Sequence, residues 1–262
     1  MRPSFMKVFA GYQVKKGGIA IAWLGQAGFL FKDSSDLILA ADPYLTDSVE
    51  RIWGFKRLMA PVAVPEEFTP DILVVTHFHE DHLDIDALPT ILSNRKTLIL
   101  APSSCIERLK PLGVPASAYR AFNMGDVFTR DGLRLEAVFA DHGDMVPDPI
   151  GLLIGMEGIK IYLTGDTAYV PESMKRAIDY KPDLLIAPIN GTNGNMNGEE
   201  TAKLAVGCGA KAVIPCHFWT FAEHLGNPQD FKEKMKQIAV EATAIMMCQG
   251  EIITYNGRSL RD

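Results

Sequence analysis

The sequence contains no stretch approaching the ~18 consecutive apolar residues that a membrane-spanning helix needs, so no membrane partner is expected. Its amino-terminal segment, MRPSFMKVFAGYQVKKGG, interrupts its apolar residues with Lys and Gly and has no signal-peptide core, which predicts a cytoplasmic location. Lysine and arginine never form a block; 26 basic residues against 32 acidic ones leave a net charge of −6. General nucleic-acid binders carry a concentrated basic footprint, so no nucleic-acid partner is expected. Only four cysteines occur (Cys105, Cys208, Cys216 and Cys248), without CxxC spacing. They read as reduced, mostly buried thiols. There is no Ser/Gly/Pro-rich linker and no low-complexity tract. The length of 262 residues, with 47% hydrophobic and 22% charged, predicts a single soluble globular domain over 1–262.

Within that length lies a faint duplication. The first half reads Gly28-FLF, a turn, LILAADP, then Pro70-Asp71-ILVVT and Lys96-TLILAP; the second reads Gly151-LLI, a turn, IKIYLTGD, then Pro182-Asp183-LLIAPIN and Lys211-AVIPCH. Each run is short, rich in Ile, Leu and Val, and bounded by Gly, Pro or Asp, as buried strands are. Helical patterns fall at 84–93, 103–112, 172–180, 199–208 and 228–239, the last opened by Asn227-Pro228 as cap and first turn. Two matching α/β halves predict two sheets packed face to face with helices outside; one doubly wound sheet is the alternative.

The chemistry-bearing residues cluster just beyond the carboxyl ends of these strands. His77 follows ILVVT, with His79, Asp81 and His82 in the same loop; His142 follows LRLEAVFA-Asp141, Asp166 ends IKIYLTG and His217 follows AVIPC. Such positions expose side chains at a rim while the strands stay rigid. Three imidazoles and a carboxylate within six residues would repel if charged and compete for partners if buried, unless a cation holds them. His77 and His79 can grip one ion, and Asp81 and His82, half a turn on, can face another. Asp166 is the best candidate to bridge two ions. Imidazole and carboxylate suit Zn, Mn or Fe.

THFHEDHLD, the later His142, the GDT of TGDTAYVPE and the PCH of VIPCHF together resemble the metallo-β-lactamase superfamily over about residues 19–255. The resemblance implies an αββα sandwich of two mixed β-sheets flanked by helices, and a hydrolase with two divalent metal ions per chain. It implies His77, His79 and His142 on the first ion, Asp81, His82 and His217 on the second, Asp166 between them, and Asp42 as a supporting aspartate. AWLGQAGFLF, APSSCIERLKPLGVP, GDTAYVPES and NGEETAKLAVGCGAKAVIPCHFW are also similar to the L-ascorbate-6-phosphate lactonase-like branch. The implied substrate is a lactone or ester of a small polar molecule, with Asp81 as the catalytic residue that orients the attacking water and takes its proton.

Asn190, His224 and Tyr169 are the candidates for contacting substrate, although the Asn-rich loop at 190–198 holds no Lys or Arg for a phosphate; Lys56 and Arg57 are the nearest basic candidates. Glu80 is expected to face solvent and Cys216 to lie on the opposite side of its strand from the site. Trp23 and Trp53 are expected in the core, and Trp219 in the core or at the pocket. The competing readings are a phosphodiesterase or nuclease, which the same centre would serve, and a non-catalytic metal-binding scaffold, which a complete ligand set disfavours. The oligomeric state is open, a homo-oligomer included.

Overall fold

A computed structural model describes residues 4–93, 96–144, 146–257 and 260–261. Strands β1 (Ile19–Gly25), β2 (Gly28–Lys32) and β3 (Ile38–Ala41) form an antiparallel meander. From β3 the sheet continues in parallel through β4 (Ile72–Val74), β5 (Leu98–Ala101) and β6 (Tyr119–Ala121). The second sheet opens with antiparallel β7 (Val127–Arg130), β8 (Leu133–Phe139), β9 (Ile150–Met156) and β10 (Ile159–Leu163). It then adds β11 (Leu184–Pro188), β12 (Ala212–Cys216) and β13 (Thr243–Ala244) in parallel. Finally β14 (Ile252–Tyr255) and β15 (Leu260–Arg261) return to the first sheet beside β1. The duplication is real at the level of topology: β2 to β5 and β9 to β12 each run as an antiparallel pair followed by two parallel strands. Two separate mixed sheets exclude the single doubly wound alternative.

Strand alternation assigns the two faces. Ile19, Ile21 and Trp23 of β1, with Ile72 and Val74 of β4, join the main core that also contains Leu135, Leu152, Ile154 and Ile161 of the second sheet. Their neighbours Ala20, Ala22, Leu24, Leu73 and Val75 join a second core. That core includes Phe9 of α1 (Phe5–Gly11), Ile91 of α3 (Leu88–Ser93) and Ile106 of α4 (Ser103–Leu109). On the other side, α5 (Lys175–Tyr180), α6 (Gly198–Cys208) and α7 (Pro228–Ile238) pack Ala177, Leu204 and Phe231 into the main core. The layers therefore run helices, sheet, sheet, helices. Each fully buried Ile, Leu or Phe contributes roughly 1.5–3 kcal/mol, so the period-two burial sets strand register firmly.

Helix starts differ from the sequence pattern. The expected helix at 84–93 begins at Leu88; the Asp84 carboxylate accepts from Ala87 N at 3.3 Å and is bonded as well to the segment after β3, accepting from Leu45 N and Thr46 N at 2.8 Å each and from Thr46 Oγ1 at 2.6 Å. These bonds tie the ligand loop to the chain leaving β3. Likewise α5 begins at Lys175, after a turn in which Ser173 N donates to Val170 O. Two short helices were not expected: α1, and α2 (Ser48–Trp53), which lies in the long loop between β3 and β4. No helix among the described residues is long and apolar enough to cross a membrane.

Candidate metal centre

The strand ends deliver every expected ligand to one place. Asp42 follows β3, the 77–82 loop follows β4, His142 follows β8, Asp166 follows β10 and His217 follows β12. The turns that do this are tight. Gly165 sits at φ 63°, and a Cβ there would lie 2.8 Å from Ile150 O, so only glycine lets Asp166 leave β10 this way. Gln26, Asp42 and His217 are themselves left-handed, with φ of 51°, 44° and 58°. Such backbone strain, of order 1 kcal/mol or more each, concentrates at functional sites.

Two sets of ligand atoms result. His77 Nε2 lies 3.0 Å from His79 Nδ1, which lies 3.2 Å from His142 Nε2. Nitrogens held tetrahedrally around one zinc ion at ~2.0–2.1 Å stand ~3.3 Å apart. The three imidazoles therefore fit a single cation. In the second set, His82 Nε2 lies 3.3 Å from Asp166 Oδ1 and 3.6 Å from Asp81 Oδ2, while His217 Nε2 lies 3.0 Å from Asp166 Oδ2 and 3.4 Å from Asp81 Oδ2. Asp166 also reaches back to His142 Nε2 at 3.7 Å, which puts its carboxylate between the sets.

Electrostatics distinguish the sets. Burial, reinforced by neighbouring imidazoles, holds His77, His79 and His142 below the ordinary histidine range, so they present lone pairs at neutral pH. Burial also opposes charge on His82 and His217, yet the carboxylates of Asp166 and Asp81 outweigh it, raising His82 well above its ordinary value and His217 to about 9. Asp81 and Asp166 are buried too, but the facing imidazoles keep both well below the carboxylate range. Buried carboxylates that draw positive charge onto imidazoles make a setting suited to a cation. The donor set and spacings fit divalent metal.

A supporting layer orients these groups. Asp42, fully buried, accepts from His82 Nδ1 at 2.8 Å, from Thr76 Oγ1 at 2.6 Å and from Thr76 N at 2.7 Å. Its bond holds a proton on Nδ1, so Nε2 is the nitrogen that can yield its proton and present a lone pair to a cation. Asn195 Nδ2 donates to Asp166 Oδ2 at 2.8 Å. Asn195 and Gln26 were not picked out from the sequence. Asn195 was submerged in an Asn-rich turn, and Gln26 lies far along the chain from its partners; only Gln26 carries a local signal, a polar residue directly after a strand.

Above the ligands opens a cavity of about 410 Å³, lined by His79, Asp81, His142, Asp166 and His217 below, with His224 beside them. Val49, Trp53 and Phe55 form one wall; Gly143, Asp144, Asn193 and Gly194 form another. Of the three substrate candidates, the structure brings only His224 to this cavity. Asn190 does not line it: its Nδ2 donates to Thr192 Oγ1 at 3.1 Å, and it lines a separate cavity of about 510 Å³ with Trp219. Tyr169 does not line it either, being half-buried and packed against the main core. Glu80 does not face solvent as expected; it is buried in the cavity wall, where it accepts from Trp53 Nε1 at 2.8 Å. Trp53, expected in the core, is exposed because α2 holds it over the opening. Arg57 is already committed, its guanidinium 4.2 Å above the Tyr44 ring and bonded to Thr46 O at 2.8 Å.

Residues 41–218 match the model of the β-lactamase superfamily domain. The chain belongs to the metallo-β-lactamase superfamily. It is 30% identical over 259 residues to a UPF0173 metal-dependent hydrolase of Polynucleobacter asymbioticus, covering 92% of this chain and 87% of that relative. Among solved structures, Igni18, a metallo hydrolase of Ignicoccus hospitalis, superposes with a TM-score of 0.75 at 24% identity, over 91% of this chain and 98% of that one. An isothiocyanate hydrolase from Delia radicum gut bacteria superposes with a TM-score of 0.73 at 18% identity, over 89% and 97%. This superfamily member is accordingly a metal-dependent hydrolase, and its sandwich is the metallo-β-lactamase fold.

Proposed function

We propose that this hydrolase acts on a small, uncharged lactone or ester, using two divalent cations, zinc or manganese, held by His77, His79 and His142 and by Asp81, His82 and His217, with Asp166 shared. The observation that carries the reading is the cavity: about 410 Å³, floored by the ligand side chains and, among the described residues, lined by no Lys or Arg. That volume suits a small molecule. Apart from the cations themselves, the described lining offers a phosphate no positive side chain and adds the carboxylate of Asp144, while Glu80 is paired with Arg108 at 3.6 Å, so a neutral lactone is favoured over its 6-phosphate and over a phosphodiester. Val49, Trp53 and Phe55 offer an apolar bed for the substrate's carbon skeleton.

When bound, the cations supply a water of lowered pKa and a Lewis acid for the attacked oxygen. The chain's own residues do the rest. Asp81, ionised by the imidazoles around it, accepts a hydrogen bond from the attacking water and aims its lone pair at the carbonyl carbon. Burial and the neighbouring His217 lower His224 to about 4, so it is neutral at physiological pH and can hydrogen-bond substrate at the cavity's edge.

A second arm follows from the apolar wall. An isothiocyanate is also small, uncharged and attacked at an electrophilic carbon, and one structural neighbour is named for hydrolysing it. The deciding experiment measures kcat/KM under one metal condition for a neutral γ-lactone, its phosphorylated counterpart, an aryl ester, an isothiocyanate and a phosphodiester. The expected order places the neutral lactone or ester first. Preference for the phosphodiester or the phosphorylated lactone overturns the proposal, and preference for the isothiocyanate replaces the substrate class with that arm.

A further inference from the structure

Gln26 lies in the turn between β1 and β2, fully buried, and its backbone is fastened on three sides. Its N–H donates to Thr220 Oγ1 at 3.0 Å, and its C=O accepts from His217 N at 2.9 Å and from Trp23 Nε1 at 3.0 Å. These bonds aim the side chain into the second ligand set. The terminal nitrogen Nε2 lies 2.7 Å from Asp81 Oδ2, 3.0 Å from His217 Nε2 and 2.8 Å from His224 Nδ1. An amide nitrogen carries two N–H donors, and here three acceptor-capable groups surround it. The other end of the same amide, Oε1, is buried with no hydrogen-bond partner. A buried, unpartnered carbonyl oxygen beside an oversubscribed nitrogen is costly and needs a reason.

We propose that Gln26 belongs to the metal centre, presenting Oε1 to the cation held by Asp81 and His217, with His224 steadying it. The two ends of a carboxamide have nearly the same shape, and one rotation about χ3 exchanges them. With Oε1 turned toward Asp81 and His217, it and Asp81 Oδ2 are two acceptors facing each other across a gap that a bound cation would stabilise. His224 Nδ1–H can then donate to Oε1. At 2.7 and 3.0 Å from Asp81 Oδ2 and His217 Nε2, the amide tip is within reach of an ion held by those two atoms. His224 thereby gains a positioning role that its place at the cavity edge alone does not disclose. The proposal rests on the two-cation centre proposed above, concerns metal affinity and is independent of which substrate is hydrolysed.

The test titrates Zn²⁺ into the whole 262-residue chain against a chromophoric chelator, comparing the parent with Gln26→Ala and Gln26→Glu. In the Ala variant the weaker of two bound ions is expected to lose about 10–100-fold in affinity with the tighter ion unchanged, and Glu, which returns an oxygen, is expected to restore it. Ala binding both ions like the parent overturns the proposal. Equal loss in Ala and Glu also overturns it, since that marks a packing role. A parallel measurement needs no variant: with glutamine side chains ¹⁵N-labelled, the Gln26 amide resonances should move as the second equivalent of Zn²⁺ binds. Resonances unmoved by that equivalent refute the contact, whether or not the variants fold.

Discussion

Asp42→Asn changes one atom and should change which nitrogen of His82 is available. In the parent, Asp42 Oδ2 accepts from His82 Nδ1 at 2.8 Å and from Thr76 Oγ1 at 2.6 Å, while Oδ1 accepts from Thr76 N at 2.7 Å. An asparagine fits the same volume and keeps its oxygen on Thr76 N, which requires its nitrogen to face His82. That nitrogen donates to Nδ1, so the imidazole proton moves to Nε2, the atom that points at Asp166 Oδ1 3.3 Å away. An N–H now stands where a metal needs a lone pair. The expected loss in affinity for the cation on Asp81, His82 and His217 is about 10–100-fold, or about 1.4–2.8 kcal/mol. The ion on His77, His79 and His142 should be unaffected. Chelator competition measures both, with circular dichroism confirming the fold. Asp42→Ala is the coarser comparison: it leaves Thr76 N and His82 Nδ1 buried without an acceptor and should cost about 3–5 kcal/mol of stability. A folded Asn variant binding both ions with parental affinity would refute the tautomer argument.

Asp81→Ala should lower turnover by at least about 10–100-fold while melting temperature in chelator changes little, and near-normal turnover on any identified substrate would contradict its role. Glu136 accepts from Arg176 at 2.6 and 2.7 Å and pairs with Arg134 at 2.8 Å, and these partners hold its carboxyl below the ordinary value. Its depressed folded-state pKa contributes stability present above the unfolded value and lost as pH falls through the folded one. Thermal melts across the acid range should therefore show a shallower loss for Glu136→Gln, and superimposable acid limbs would exclude the contribution. The Tyr162 hydroxyl is buried in β10 without a hydrogen-bond partner among the described residues. Tyr162→Phe should stabilise by about 1–3 kcal/mol in denaturant unfolding, and destabilisation would show that the hydroxyl is satisfied after all.

The sequence by itself determined the strands, their duplicated order and the ligand types. Period-two burial and short apolar runs are local properties, and the spacing of His77, His79, Asp81 and His82 lies within one loop. Asp166 and His217 were legible because each repeats a local rule, a ligand-type residue directly after a buried strand. Only the tertiary structure decided which loops form the cavity and which side chains support the ligands. Glu80 and Trp53 meet across 27 residues and Gln26 and His217 across 191, so no local pattern encodes either contact. Asn190 and Asn195 share one loop and similar composition, yet backbone turns send the first to a separate cavity and the second onto Asp166. Local pattern fixes what a residue can do; the packing of distant segments, set by burial of the two sheets against each other, decides whether it is placed to do it.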